Sequence, residues 1–144
     1  MSLFVITKLE SEEYGIDIDR VQSIEKMMKI TRVPKAPLFV KGVVNLRGEI
    51  IPVISLRMRL GLKESNWNEN TRIVIIRNND VILGIIVDSA NEVIEIPEEN
   101  IDTIDVNSNL YKRDSFISRI GKVDKRILLI FDTDKLTTQQ EVKK

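Results

Sequence analysis

Apolar residues recur along this chain in short runs separated by turn-forming residues, the pattern of a protein built from strands. Phe4–Leu9 reads as a first strand, with Ser11-Glu12-Glu13 turning after it. Tyr14–Ile18 reads as a second, because Tyr14, Ile16 and Ile18 alternate with Gly15 and Asp17. Ile18, Val21, Gln22 and Ile24 then fall at helical offsets, which predicts a single helical turn or a bent strand. Met27–Val33 is a further strand candidate, ended by Pro34 and Pro37, which interrupt regular pairing. Leu38–Gly42 is expected to make a short helical turn. Val43–Leu46 and Ile50–Leu56 form a hairpin around Arg47-Gly48-Glu49, where Gly48 takes positive φ without steric cost. Pro52 has no N–H to donate, so that strand carries an edge or a bulge there.

The second half repeats the rhythm. Strands are expected at Arg72–Ile76, Val81–Val87 and Glu92–Ile96, with Asn78-Asn79-Asp80 as a turn and Pro97-Glu98-Glu99-Asn100 closing the set. Ser115–Lys122 and Arg126–Phe131 suggest a last hairpin turning at Val123-Asp124-Lys125. Thr133–Lys144 reads as a polar terminal helix capped by Thr133 or Asp134. About ten short strands with regularly spaced turns define a mainly β protein, a sandwich or two small barrels. Lys63–Asn70 is polar and is the best linker candidate. It divides the strands evenly and favours two barrels, at about 1–65 and 66–144, with strand exchange between them left open.

Composition narrows the chemistry. The chain has 144 residues, including 22 Ile and 14 Val, and only 5% aromatics, so its core must be aliphatic. Lys and Arg total 22, as do Asp and Glu, giving a net charge of zero. A free-standing nucleic-acid binder usually carries a basic excess, so no nucleic-acid partner is expected. Cysteine is absent, which removes disulfides, thiolate nucleophiles and Cys-based metal sites. Histidine is absent too, which removes the commonest general base and transition-metal ligand. No apolar run reaches the roughly 18 residues of a membrane span. MSLFVITKLE lacks the pattern of a signal peptide, so the expectation is a cytoplasmic protein with no membrane insertion.

Candidate chemistry is sparse. There is no phosphate loop, no Gly-rich dinucleotide turn and no zinc-protease motif. Asp132-x-Asp134 begins like a calcium loop but lacks the sixth-position Gly and twelfth-position Glu. Asp17 and Asp19 share a strand face in the pattern of a solvated edge, and Asp102 and Asp105 flank a turn. Neither pair argues for acid–base catalysis, and no enzyme, cofactor or metal is expected. Arg47, at the hairpin tip, presents a rigid fork of donors suited to a partner's carboxylates or carbonyls. Val21 and Ile24 lie in a segment that is neither clean strand nor clean helix, fit either for core packing or for an apolar partner groove. Trp67 stands in the polar linker, as a lid on a nearby core or a contact anchor.

Several motifs then resemble one family. Val40-Lys41-Gly42-Val43-Val44-Asn45-Leu46-Arg47-Gly48-Glu49-Ile50-Ile51-Pro52-Val53-Ile54-Ser55-Leu56-Arg57 resembles the signature of the CheW chemotaxis coupling family. Tyr14-Gly15-Ile16-Asp17-Ile18 with Val21 and Ile24 resembles its opening hairpin, and Val33-Pro34 to Pro37 fits just before the signature. Gly84-Ile85-Ile86-Val87-Asp88 is similar to a strand of its second half. Arg126-Ile127-Leu128-Leu129-Ile130 with Asp132 and Leu136 resembles its closing strand. The resemblance runs from about Phe4 to Leu136. Ser55 stands where the family often has Asp, and Arg119 where it often has Gly.

The resemblance implies two packed five-stranded SH3-like barrels with short helical turns and a C-terminal helix. It implies a non-enzymatic adaptor between the cytoplasmic hairpin tip of chemoreceptors (methyl-accepting chemotaxis proteins) and the regulatory domain of the histidine kinase CheA, located at receptor arrays on the inner face of the membrane. A coupling protein of the same family serving another receptor–kinase pathway, such as surface motility, shares every residue argument. Carried over by position, the receptor-binding residues are Val21, Ile24, Gly42, Asn45 and Arg47. In the implied picture Gly42 allows close backbone approach and Arg47 pairs with the receptor helix. The kinase surface is looked for on the strands spanning Val81 to Ile96, whose two faces are both apolar.

Overall fold

A computed structural model describes residues 2–104 and 116–139. In chain order the strands are β1 (Ser2–Leu9), β2 (Glu12–Asp17), β3 (Val21–Lys26), β4 (Val40–Leu46), β5 (Glu49–Ser55), β6 (Arg72–Asn78), β7 (Val81–Val87), β8 (Ser89–Ile96), β9 (Ile101–Thr103), β10 (Ile117–Val123) and β11 (Arg126–Phe131). Short helices α1 (Leu56–Arg59) and α2 (Thr133–Gln139) and two single 3-10 turns, at Ile18–Arg20 and Glu98–Asn100, complete the described elements. The strands form a five-stranded sheet, β3-β6-β7-β5-β4, and a six-stranded one, β8-β1-β2-β11-β10-β9. Neighbours pair antiparallel except β5 with β7 and β2 with β11, which are parallel. This is the mainly β, two-barrel architecture that the sequence implies, with β9 added as a short sixth strand.

The two sheets are not successive halves of the chain. β1 and β2 join the sheet made by β8–β11, and β3–β7 make the other. The polar stretch 63–70 links α1 to β6 inside one sheet, so it is a connection rather than the seam suggested at 65/66. No strand forms at Met27–Val33; the preceding segment, expected as a helical turn or a bent strand, makes the 3-10 turn Ile18–Arg20 and then β3. Met27, Met28 and Ile30 instead plug the barrel enclosed by the five-stranded sheet, and only Thr31 of that stretch bridges to a strand. The helical turn expected at Leu38–Gly42 is a tight corner, in which the Val40 N–H donates to the Pro37 carbonyl at 2.9 Å before β4 sets off. Helix α2 is capped by Asp132 rather than Thr133 or Asp134, its Oδ1 accepting the Asp134 N–H at 3.1 Å. Asp105, Ser115 and residues 140–144 of the expected terminal helix lie outside the described residues.

Side-chain alternation sorts the core into three layers. Ile73 and Ile75 of β6 point into one barrel, among Val44, Ile51, Val53 and Ile86. Val74 and Ile76 point the other way, into a core shared by both sheets. There Ile54, Leu83, Ile85 and Val87 from the first sheet meet Leu9, Tyr14, Ile16 and Phe131 from the second. The third layer, Phe4, Ile6, Ile96, Leu128 and Ile130, fills the second barrel. The run Ile73-Val74-Ile75-Ile76 is therefore uninterrupted because both faces of β6 are buried. The Tyr14 and Phe131 rings stack at 5.1 Å in the shared layer, and burial pushes the Tyr14 hydroxyl above its ordinary pKa. Truncating Ile85→Ala in this layer is expected to cost about 2–5 kcal/mol. Urea denaturation should still show one transition, at lower midpoint, by both circular dichroism and tyrosine fluorescence, because the layer belongs to both sheets.

Candidate functional site

The β4–β5 hairpin turns on two residues in the left-handed region, Arg47 at φ 51° and Gly48 at φ 87°. Positive φ at both central positions matches the twist of the flanking strands and makes the tip stiff. Asn45 locks it further, its Oδ1 accepting the Gly48 N–H at 2.9 Å. The Arg47 side chain is 74% exposed and reaches Glu25 of β3, Nη2 to Oε2 3.7 Å. Arg77, at the end of β6, donates from Nε to Gln22 Oε1 at 2.7 Å and from Nη2 to Glu49 Oε2 at 3.4 Å. The hairpin tip and β3, from opposite edges of the sheet order, are thus tied together at one end of the barrel.

The seam that brings those edges together is narrow. Thr31 and Val43 exchange backbone hydrogen bonds of 2.9 and 2.8 Å. Gly42 makes this possible. It sits at φ 142°, and a Cβ there would lie 2.1 Å from the Thr31 carbonyl oxygen. The close approach that Gly42 makes here is to its own chain.

The five expected receptor-binding residues therefore differ in what they offer. Ile24 is 38% exposed on β3, beside Glu25. Arg47 stands at the tip, and Asn45, also exposed, shapes it. Val21, at the start of β3, packs partly buried against the shared core, and Gly42 is buried in the seam. Of the strands proposed for the kinase, β7 is mostly buried: Leu83, Ile85 and Val87 enter the shared core and Ile86 the barrel, leaving Val81 and Ile82 half-exposed at its start. β8 is different. It is an edge strand in the sheet order, and Val93 on it is 50% exposed.

Two arginine clamps were not foreseen from the sequence. Arg57 of α1 grips Asp88 with two hydrogen bonds, Nε to Oδ1 2.8 Å and Nη2 to Oδ2 2.7 Å. Its Nη1 donates to Glu10 Oε2 at 2.9 Å and to the Lys63 carbonyl at 3.0 Å. The Glu10 N–H donates to Asp88 Oδ2 at 2.8 Å, so the β1–β2 turn of one sheet is fastened to α1 of the other. Hydrogen bonding from Arg57 holds the Asp88 carboxyl below the usual carboxylate range, against the opposing effect of burial. Arg126 likewise joins Glu13 and Glu92 across β11, β2 and β8, and its hydrogen bonds depress the Glu92 pKa. Next to the first clamp, the Arg59 guanidinium lies between the rings of Phe39 and Phe116, at 4.6 and 4.5 Å from their centres.

These residues do not assemble a reaction centre. Asp17 and Asp19 are no acid–base pair, because Asp17 Oδ1 accepts the Asp19 N–H and caps the 3-10 turn. Among the described residues no group of three acidic side chains is placed to hold a metal ion. The arrangement offers a stiff, charged hairpin tip tied to β3, which also carries the exposed Ile24. Features of this kind are ones by which proteins recognise other proteins.

Comparison with known proteins bears on which one. The family model of the CheW-like domain matches residues 3–141. The chemotaxis protein CheW of Bacillus subtilis is 40% identical over 143 residues, covering 96% of this chain and 90% of that protein. The chemotaxis protein CheW of Klebsiella aerogenes is 33% identical over 139 residues, covering 96% and 83%. The crystal structure of the scaffolding protein TtCheW from Thermoanaerobacter tengcongensis superposes with a TM-score of 0.81 at 34% identity, covering 91% of this chain and 84% of that one.

Two outcomes follow from the geometry. Asp88→Asn should lower stability by about 1–3 kcal/mol at neutral pH, since it removes a charged acceptor from the Arg57 clamp. The native carboxyl is depressed on folding, so its contribution is present above its unfolded pKa of about 3.9 and is lost as pH falls through the folded value. Denaturation curves of the two proteins should therefore begin to converge below about pH 4 and meet only below the depressed folded value. Gly42→Ala should open the Thr31–Val43 seam, seen as loss of amide-exchange protection at residues 31 and 43.

Proposed function

The chain belongs to the CheW-like domain family, and on that premise we propose that it is a non-enzymatic adaptor of bacterial chemotaxis. It couples the cytoplasmic hairpin tips of chemoreceptors to the histidine kinase CheA, through the regulatory domain of that kinase. The observation that carries this reading is the hairpin tip. Arg47 is held out by a stiff two-residue turn and reaches Glu25, the chain neighbour of the exposed Ile24 in β3. A receptor's helical hairpin docks by placing apolar side chains against an exposed apolar strip and polar ones at its rim. Ile24 supplies the strip, while Val21, three residues earlier in β3, is half-buried against the shared core. Arg47 supplies the rim, its exposed guanidinium held by Glu25 only at 3.7 Å and so able to take a receptor carboxylate or carbonyl.

The kinase regulatory domain is assigned to β8, whose edge and exposed Val93 lie in the other sheet. Separate surfaces on separate sheets let one molecule hold both partners. Signal passes if the receptor's contacts differ in free energy between the kinase-on and kinase-off arrangements. The rigid shared core suits that role, because a shift at one sheet is carried to the other rather than absorbed. Among the described residues no helix is long and apolar enough to cross a membrane. The adaptor is placed at the inner membrane face by the receptors it binds.

Arg47→Glu should weaken binding of a soluble receptor hairpin fragment about tenfold or more in calorimetric titration. Folding stability should change by no more than about 1–2 kcal/mol, because the Arg47 side chain is exposed and its 3.7 Å pair with the largely covered Glu25 is long, although the new carboxylate faces Glu25. Unchanged affinity in the folded variant would remove the hairpin tip from the receptor surface.

A further inference from the structure

A groove of about 640 Å³ lies between the 28–41 segment and the loop that follows α1. Its walls include Met28, Val33, Pro34, Pro37, Leu38 and Trp67. Leu38 is 83% exposed, and Val33 and Trp67 are each 45% exposed. Apolar area left in water is unfavourable in proportion to its extent, yet the chain holds these side chains out on fixed backbone. Pro34 and Pro37 restrict φ. The segment is fastened at Thr31 by the bridge to Val43 and at Pro37 by the Val40 N–H. On the facing side the loop is tied just after Trp67, where the Asn68 N–H donates to Thr71 Oγ1 at 2.9 Å. A surface ordered in advance loses little entropy when a partner covers it.

The charge around this wall is one-sided. Lys29, Arg32, Lys35 and Lys41 line the groove against a single carboxylate, Glu64. Lys41 is already paired with Glu64 at 2.8 Å. Among the described residues, no carboxylate lies within ion-pair reach of Lys29, Arg32 or Lys35. The chain as a whole is neutral, so this local surplus is a property of the site and not of the composition.

We propose that the groove takes an acidic peptide segment of a partner protein. One apolar side chain seats among Val33, Leu38 and Trp67, and flanking carboxylates pair with Lys29, Arg32 and Lys35. A nucleic-acid strand would use the cations but leave the proline-framed apolar wall wet. An acidic segment with an apolar anchor uses both. The groove shares no residue with Val21, Ile24, Gly42, Asn45 or Arg47, so this proposal stands or falls apart from the receptor reading.

Trp67 is the chain's only tryptophan and lines the groove, so its emission reports on that wall. The test titrates the full chain with a panel of short synthetic peptides that place aspartates and glutamates around one leucine or phenylalanine at each spacing, and with the same panel carrying lysines instead. The expected result is a saturable blue shift of Trp67 emission with acidic members and none with their lysine counterparts. Affinity should fall about tenfold in an Arg32→Glu, Lys35→Glu double variant, and should fall with added salt. Leu38→Asp, checked for an unchanged melting curve, should abolish the shift. No saturable shift with any acidic peptide would overturn the proposal, as would an equal response to the lysine panel or undiminished affinity in the charge-reversed variant. A single-stranded oligonucleotide that shifts Trp67 when acidic peptides do not would overturn it in favour of nucleic acid. A concentration-dependent shift without peptide, matched by dimer in sedimentation, would overturn it in favour of a second copy of this chain.

Discussion

The apolar layer shared by the two sheets is the constraint on which the rest of the molecule depends. Each barrel alone encloses only a handful of aliphatic side chains, five to six buried residues in each of the two barrel cores, too few for a chain segment of that size to be secure on its own. The shared layer joins Leu9, Tyr14, Ile16 and Phe131 to Ile54, Val74, Ile76, Leu83, Ile85 and Val87, making one core of three. Because β6 and β7 bury most of both faces in it, little of them remains at the surface. The proposed docking surfaces accordingly lie at the hairpin tip, the edge strand β8 and the loops.

Polar contacts then fix how the sheets meet. Apolar packing is non-directional, and two aliphatic faces could slide. The Arg57 clamp sets one point of register by joining α1 and β7's end to the β1–β2 turn, with Lys63 drawn in through its carbonyl. Arg126 sets another within the six-stranded sheet. Arg57 is nearly buried and its partners are hydrogen-bonded, so removing one partner leaves an uncompensated charge at a crowded junction.

Much of this was legible in the sequence, for identifiable reasons. The β4–β5 hairpin was readable because Asn45, Arg47 and Gly48 carry turn chemistry between two aliphatic runs. β6 and β7 were readable as strands because their uninterrupted Ile and Val have few other places to go. The family resemblance supplied the barrel pair, which strand periodicity alone left beside a sandwich. What could not be read was long-range. Nothing in a linear pattern says that Thr31 meets Val43, or that Gly42 is small for the sake of its own chain's carbonyl. Arg57 and Asp88 are ordinary charged residues until the fold brings them to 2.7 Å. The polar stretch near residue 66 resembled a boundary because loops and linkers share a composition, and sheet membership is decided by pairings far apart in sequence.

On the proposed reading the chain holds a receptor and a kinase domain at once, on separate surfaces. The most direct measurement is sedimentation of the full chain with a receptor hairpin fragment, with a CheA regulatory domain, and with both together. The account predicts two binary complexes and a ternary complex containing all three, with neither partner displacing the other. Mutually exclusive binding, in which saturating receptor fragment releases the kinase domain, would contradict it, because the two docking surfaces could not then be separate.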